Sequence, residues 1–405
     1  MADCSQMPQK RLLTPGPTQV PELARLAMAR QVIHHRTPEF RELFSEVLTG
    51  LQEVFCTKND VVLLSSSGTG AMEAAVVNLV PRGGKAIVLD AGVFAHRWSD
   101  IASRFGIHIV RHEVPWGHAV DSADVARLLA EHPDAAAVFG TLMESSTGVG
   151  HDVESIGRVV ADSNALWVVD AISGAGAVPC RTDDWQVDVL VVGSQKALML
   201  PPGLAMLAVS EAAWQRIEQV EPQAFYFDLK WHRDKLHGKR SGSGPDTPWT
   251  PAVTLITGLC ETLRQIRQEG IESVWNRCAL LSRAALAGMQ AMGLELFAAR
   301  PATGMTAVRV PDGIDARQFL KRIEQRFGVK LAAGQGALEG KIFRLAHFGV
   351  LDELDVLGAL TAIELVLDEL GHEVTLGAAV AAAGRVLQCE SAAGHVDVAT
   401  AGSTA

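Results

Sequence analysis

Paired cysteines are missing from this chain. Its six, Cys4, Cys56, Cys180, Cys260, Cys278 and Cys389, are scattered through 405 residues with no C-x-x-C and no His/Cys spacing that would hold a metal. That is the usage of a reduced, cytoplasmic protein. No apolar run approaches bilayer-spanning length and residues 1–11 are polar, so neither a membrane span nor a signal peptide is expected. Clusters of positive charge are missing as well: 36 Lys and Arg are dispersed among 46 Asp and Glu, for a net charge of -10. This argues against nucleic acid as a partner, because neutralising phosphates takes concentrated basic side chains; a small anion needs only a local site.

What is present is a chain that is 48% hydrophobic, 20% charged and only 5% aromatic, long enough to bury a large core in two domains. Pro15-Gly16-Pro17 can be neither helix nor central strand, so residues 12–18 read as an extended arm. A short helix is expected at 21–30, then the polar loop His34-His35-Arg36, then an amphipathic helix over 39–55 with apolar residues at spacings of three and four. Beyond it, strand, glycine turn and helix alternate. Strands are expected at 61–64, 86–89, 107–110, 136–139, 166–169, 189–192 and 204–209. That alternation predicts an α/β fold with a mainly parallel, seven-stranded sheet, whose ligands gather at the carboxyl ends of the strands.

Residues 226–249 are polar and glycine-rich and read as a long loop, and 251–269 return to helical spacing. A smaller α/β unit follows, with a helix over 272–292, strands near Leu294 and over 305–310 and 342–346, and a helix over 351–370. The expected organisation is an arm at 1–20, a large domain at 21–270, a small C-terminal domain at 271–390 and a disordered tail at 391–405.

Three features bear on chemistry. The buried run 189–192 ends in Gly193-Ser194-Gln195 and presents Lys196; the run 166–169 ends in Asp170; and Ser67-Gly68-Thr69-Gly70 follows a strand and opens a helix. Each has a plainer use alone: a surface lysine, a turn or capping aspartate, a glycine-rich turn. The glycine turn is neither G-x-x-x-x-G-K-[ST] nor G-x-G-x-x-G, which counts against a nucleoside triphosphate and a dinucleotide. Together the three suggest pyridoxal 5'-phosphate. A lysine would bond the cofactor, a carboxylate would stabilise its protonated ring nitrogen, and a helix N-terminus would take its phosphate.

Ser67-Gly68-Thr69-Gly70-Ala71-Met72-Glu73, Glu144-Ser145-Ser146-Thr147-Gly148-Val149, Val169-Asp170-Ala171 and Gly193-Ser194-Gln195-Lys196 together resemble the class V aminotransferases of fold type I, in their alanine/serine:glyoxylate (serine:pyruvate) group. The similarity runs from the Thr-Pro-Gly-Pro arm to about Leu387. It implies a homodimer with shared active sites, an amino acid and a 2-oxo acid as substrates, and Lys196 as both Schiff-base lysine and proton carrier. It places Asp170 on the pyridine nitrogen, Ile172 against one ring face and Phe94 on the other. Ser67, Gly68, Thr69 and Gln195 would bind the phosphate, Ser145 the ring or substrate, and Thr247 and Thr250 the phosphate of the partner subunit. Arg344 would clamp the substrate carboxylate, with Gly16 close to the substrate.

Departures sharpen this reading. Thr69 stands where some relatives carry histidine. Gln195 precedes the lysine where the related cysteine desulfurases have histidine, which disfavours a desulfurase. Aspartate or 2-aminoethylphosphonate as donor, a lyase, or a scaffold that kept only the fold remain alternatives from sequence.

Overall fold

The computed structural model describes residues 9–238 and 244–396. Its centre is a seven-stranded sheet built from β1 (Asp60–Leu64), β2 (Lys85–Asp90), β3 (His108–Glu113), β4 (Ala135–Thr141), β5 (Leu166–Asp170), β6 (Val189–Gly193) and β7 (Ala205–Val209). The spatial order is β1-β7-β6-β5-β4-β2-β3, and only β7 runs antiparallel to its neighbours. The inner strands are apolar throughout because both faces are covered. Along β6, Leu190 and Val192 enter one core with the helices Pro38–Phe55 and Val253–Glu269, while Val189 and Val191 enter another with the helix Gly68–Leu79. β5 divides in the same way, with Trp167 and Val169 on the first face and Leu166 and Val168 on the second. Since side chains alternate along a strand, two adjacent buried strands leave their polar residues only at their ends. Those ends are Asp170 and the Gly193–Lys196 turn.

The C-terminal unit packs a three-stranded antiparallel sheet, Met305–Arg309, Ile342–Ala346 and Ala332–Ala333, against the helices Ile271–Ala291, Ala316–Phe327 and Glu353–Glu369. Its core includes Leu13 of the N-terminal arm. The arm joins the two units: Arg11–Leu12 pairs in parallel with Val329–Lys330, the Ala346 amide donates to the Leu13 carbonyl at 2.9 Å, and the Thr18 amide donates to the Gln195 carbonyl at 3.2 Å.

Three expectations need correction. The stretch 226–249 is not all loop: Leu229–Leu236 is a helix capped by the Asp228 carboxylate on the Lys230 amide, and Leu229 and His232 are buried although most of the turn is polar. The strand near Leu294 reduces to a single bridge between Leu296 and Val308. The helix Ala378–Val396 continues into the tail expected to be disordered; residues 397–405, like Cys4, lie outside the described residues. No helix among the described residues is long and apolar enough to cross a membrane.

Candidate active site

Lys196 follows β6 in a turn fixed by backbone and side chains. The Met199 amide donates to the Lys196 carbonyl, and the Thr18 hydroxyl donates to the same oxygen at 2.8 Å. The lysine amine donates to the Pro15 carbonyl of the arm. Burial brings its pKa down to about 8, against the pull of Asp170, with the positive charges of Arg344 and Arg97 helping to lower it. A lysine so placed gives up its proton far more readily than an ordinary one, so its amine can exchange a proton close to neutral pH, as a proton carrier must.

Asp170, at the end of β5, is 4% exposed. Its Oδ1 accepts the Ile172 amide at 2.8 Å, and among the described residues it forms no salt bridge. Burial raises its pKa to about 7, opposed by the Ile172 amide, while the Glu144 carboxylate adds to the rise. A buried carboxyl with spare acceptor capacity fits a protonated ring nitrogen, which would supply both the hydrogen bond and the charge that burial withholds.

Ser67 caps the helix Gly68–Leu79 in extended backbone, yet its side chain makes no capping bond and remains exposed. The first N–H groups of that helix have no intrahelical acceptor, so hydroxyl and amides are together free for an anion. Ile172 packs directly on this turn: a β-carbon on Gly68 would stand 2.5 Å from Ile172 Cδ1, so glycine is the residue that lets the backbone approach. Gln195 Oε1 has no partner beside Gly193, whose own β-carbon would lie 3.1 Å from it, so nothing holds this amide in one orientation and its NH2 donor can turn toward an anion. This polar, close-approach cradle matches a phosphate, and the full donor set of lysine, carboxylate and cradle fits pyridoxal phosphate.

A cleft of 400 Å³ opens in front of Lys196, with Gly16, Phe94, Ser145, Gln335, Lys330 and Arg344 on its walls. Phe94 starts the helix Val93–Arg104, and the Lys196 amine lies 5.9 Å from its ring centre. Glu144, fully buried, anchors that helix by accepting the Phe94 and Ala95 amides at 3.2 and 2.8 Å, together with the Ser146 amide and hydroxyl. Arg344 projects from the strand Ile342–Ala346 and is 4% exposed; its guanidinium donates to the carbonyls of Ser145 at 2.5 Å and Ala333 at 2.6 Å. Burial lowers its pKa to about 10, so it remains a cation at the cleft wall. The Ser145 hydroxyl accepts from Ser173 at 3.1 Å.

Lys196, Asp170, Ile172, Ser67, Gly68, Thr69, Gln195, Phe94, Ser145, Gly16 and Arg344 therefore converge. Thr247 and Thr250 do not join them within one chain. Thr247 is buried with its hydroxyl donating to the Trp249 carbonyl, and Thr250 is exposed. Their segment is pinned by Arg36, which pairs with Asp246 at 2.5 Å and donates to the Thr247 carbonyl at 3.0 Å. Sequence reasoning missed the structural work of Arg36, the cap made by Glu144, and Arg97, whose guanidinium reaches Thr69. The one signal for Arg97 was its place three residues after Phe94 on a helix, which puts both on one face.

The aminotransferase class-V family model matches residues 22–347. A Synechococcus protein named as the small subunit of a soluble hydrogenase is 38% identical, over 93% of this chain and 98% of its own. An L-aspartate–glyoxylate aminotransferase of Paracoccus denitrificans is 35% identical, over 93% of this chain and 95% of its own. The crystal structure of a ureidoglycine–glyoxylate aminotransferase from Bacillus subtilis superimposes with a TM-score of 0.89 at 28% identity, covering 94% of this chain and 98% of that one. With the lysine, carboxylate, cradle and arginine all in place, this chain belongs to the class V aminotransferases, which depend on pyridoxal phosphate.

Proposed function

We propose that the protein moves the amino group of alanine or serine to a short 2-oxo acid, glyoxylate or pyruvate, in a homodimer of the cytoplasm. The observation that carries this reading is Arg344 and Lys196 on the walls of one small cleft. An arginine fork fixes the α-carboxylate that amino donor and oxo acceptor share, so one clamp serves both halves of the reaction. Lys196 Nζ, on the same cleft, would take the proton from the substrate α-carbon and deliver it to the cofactor carbon joined to the same nitrogen, and would run the transfer in reverse with the oxo acid. Bound in the cradle, the cofactor supplies an electron sink for the pair left when that C–H bond breaks. Asp170 would keep the ring nitrogen protonated, and Phe94 and Ile172 would shield the two ring faces from water.

Glyoxylate is the acceptor named for the Paracoccus and Bacillus proteins. A small, uncharged donor side chain suits the cleft, because the cation at its edge, Lys330, is already paired with Glu324 at 2.5 Å. With Arg344 taken by the α-carboxylate and Lys196 by the cofactor, the side-chain carboxylate of aspartate would find only the already paired Lys330 among the described cations that line the cleft. Thr250, exposed and outside its own chain's cleft, suits the partner subunit's phosphate, and Thr247 would join it only by giving up the bond from its hydroxyl to the Trp249 carbonyl.

The test is a panel of amino donors against oxo acids with the purified enzyme, run beside Lys196→Ala. Alanine or serine with glyoxylate or pyruvate should give the highest kcat/KM, and Lys196→Ala should lose the visible absorbance of the bound cofactor and nearly all turnover. Preference for aspartate would sink the donor assignment, and retained turnover in Lys196→Ala would sink the role of the lysine.

A further inference from the structure

A phosphate monoester carries close to two negative charges at neutral pH, whereas a helix N-terminus offers the equivalent of about half a positive one. The cradle groups Ser67, Gly68, Thr69 and Gln195 are all uncharged. Lys196 cannot make up the difference, because its amine is committed to the other end of the cofactor. A cation is needed, and the helix Val93–Arg104 brings one.

Arg97 lies half-buried one turn after Phe94. Its Nη1 donates to the Thr69 hydroxyl at 3.2 Å, and its guanidinium carbon sits 5.0 Å from the centre of the Phe94 ring. Among the described residues Arg97 forms no salt bridge, although most other arginines in this acidic chain do. Its charge is felt by both Asp170 and Lys196, so it belongs electrostatically to the site. Because the Thr69 oxygen accepts from Arg97, the threonine hydrogen is left to donate elsewhere, and the cradle is where an acceptor would be.

We infer that Arg97 is the charge that holds the cofactor's phosphate, acting through the Thr69 hydroxyl while the Phe94 ring braces its guanidinium. It is a positioning residue, and it gives the cradle the charge-assisted bond that its neutral groups lack. The cation–π contact also couples the two ends of the cofactor site: the arginine that fixes the phosphate is the one that steadies the ring stacked over the cofactor. The inference rests on pyridoxal phosphate as cofactor and is independent of which amino acid donates.

The test compares pyridoxal 5'-phosphate with pyridoxal, which lacks the phosphate, by equilibrium titration of the cofactor-free full-length protein, its Arg97→Gln variant and its Arg97→Lys variant. Arg97→Gln should weaken pyridoxal 5'-phosphate about thirtyfold or more, while pyridoxal changes by less than about threefold. Arg97→Lys, which keeps the charge, should recover most of the loss. Inorganic phosphate should compete with pyridoxal 5'-phosphate in the wild type and fail to do so in Arg97→Gln. Equal losses for the two ligands would show that Arg97 only braces Phe94 and would overturn the inference, as would no loss at all. A wild-type protein that binds neither ligand would overturn the cofactor assignment itself, a failure distinct from the other two.

Discussion

Gly16 and Lys196 leave no room between them for a side chain: a β-carbon on Gly16 would stand 2.6 Å from Lys196 Cε and 2.8 Å from Nζ. Gly16 also has a φ of +113°, a region that residues with a β-carbon rarely enter. Arm and lysine are thus fitted to one another although 181 residues separate the amine from the Pro15 carbonyl that it meets. Gly16→Ala should displace the lysine stem and lower kcat by about a hundredfold, as a misplacement of about 1 Å in a reacting group can do. Turnover with a saturating donor, read beside the unfolding temperature, checks this. An unchanged kcat would show that the arm yields instead.

Asp170 gives a pH signature to the cofactor-free protein. Its folded pKa, about 7, is raised above that of an unfolded aspartate. Between pH 4 and pH 7 the folded state therefore binds more protons than the unfolded one, and stability falls as pH rises through that window. Asp170→Asn removes the titrating group. The variant should unfold at a higher temperature than the wild type at pH 8, with the gap closing as pH drops towards 4. A gap that does not vary with pH would contradict burial as the cause of the shift. The same variant should hold the cofactor weakly, since the ring nitrogen loses its anionic partner.

Arg344→Lys retains a charge but not the planar fork. Donor KM should rise about tenfold to a hundredfold while cofactor affinity is unaffected, because the guanidinium lies on the substrate side of the cleft and meets Ser145 and Ala333 rather than the cradle. Steady-state kinetics with a titration of pyridoxal phosphate separates the two. A fall in cofactor affinity as large as the rise in KM would assign the arginine a different role.

Glu144 supports the site from beneath. Removing its carboxylate leaves the Phe94 and Ala95 amides and the Ser146 hydroxyl without their acceptor in a fully buried place. Glu144→Ala should destabilise the protein by about 2–3 kcal/mol in denaturant unfolding, the sum expected for a lost cap and unsatisfied amides. Glu144→Gln, which keeps one acceptor oxygen, should lose less. Equal stability of all three would show that water replaces the carboxylate.

Much of the fold was legible before any coordinates. Six of the seven strands were readable because a buried strand is a run of apolar residues bounded by turn chemistry, the edge strand His108–Glu113 only by its short apolar start, and the amphipathic helix Pro38–Phe55 because its buried residues recur at helical spacing. The helix Leu229–Leu236 was not readable in this way. It is short and mostly polar, and it is held by the Asp228 cap and by burial of Leu229 and His232, which no period reveals. In the site, Lys196 and Asp170 each had a plainer use alone and became legible only together with the Ser67–Gly70 turn, as one lysine, one carboxylate and one phosphate cradle at strand ends. Arg97 gave no such signal: its partners, Thr69 and Phe94, meet it only through the packing of the helices that carry them.

The sequence by itself determined which inner strands are buried, and that a carboxylate and an amine stand at the carboxyl ends of two of them. This is local information: alternation along a strand, a glycine turn and a helix start are all written within a few residues. Only the tertiary structure decided that Pro15 and Gly16 close over Lys196, that Arg344 reaches Ser145 across 199 residues, and that Arg97 stands over Phe94 and touches Thr69. Those pairings depend on how helices and arm pack after the sheet has formed. A contact between distant residues is set by the sum of that packing, which no single segment encodes.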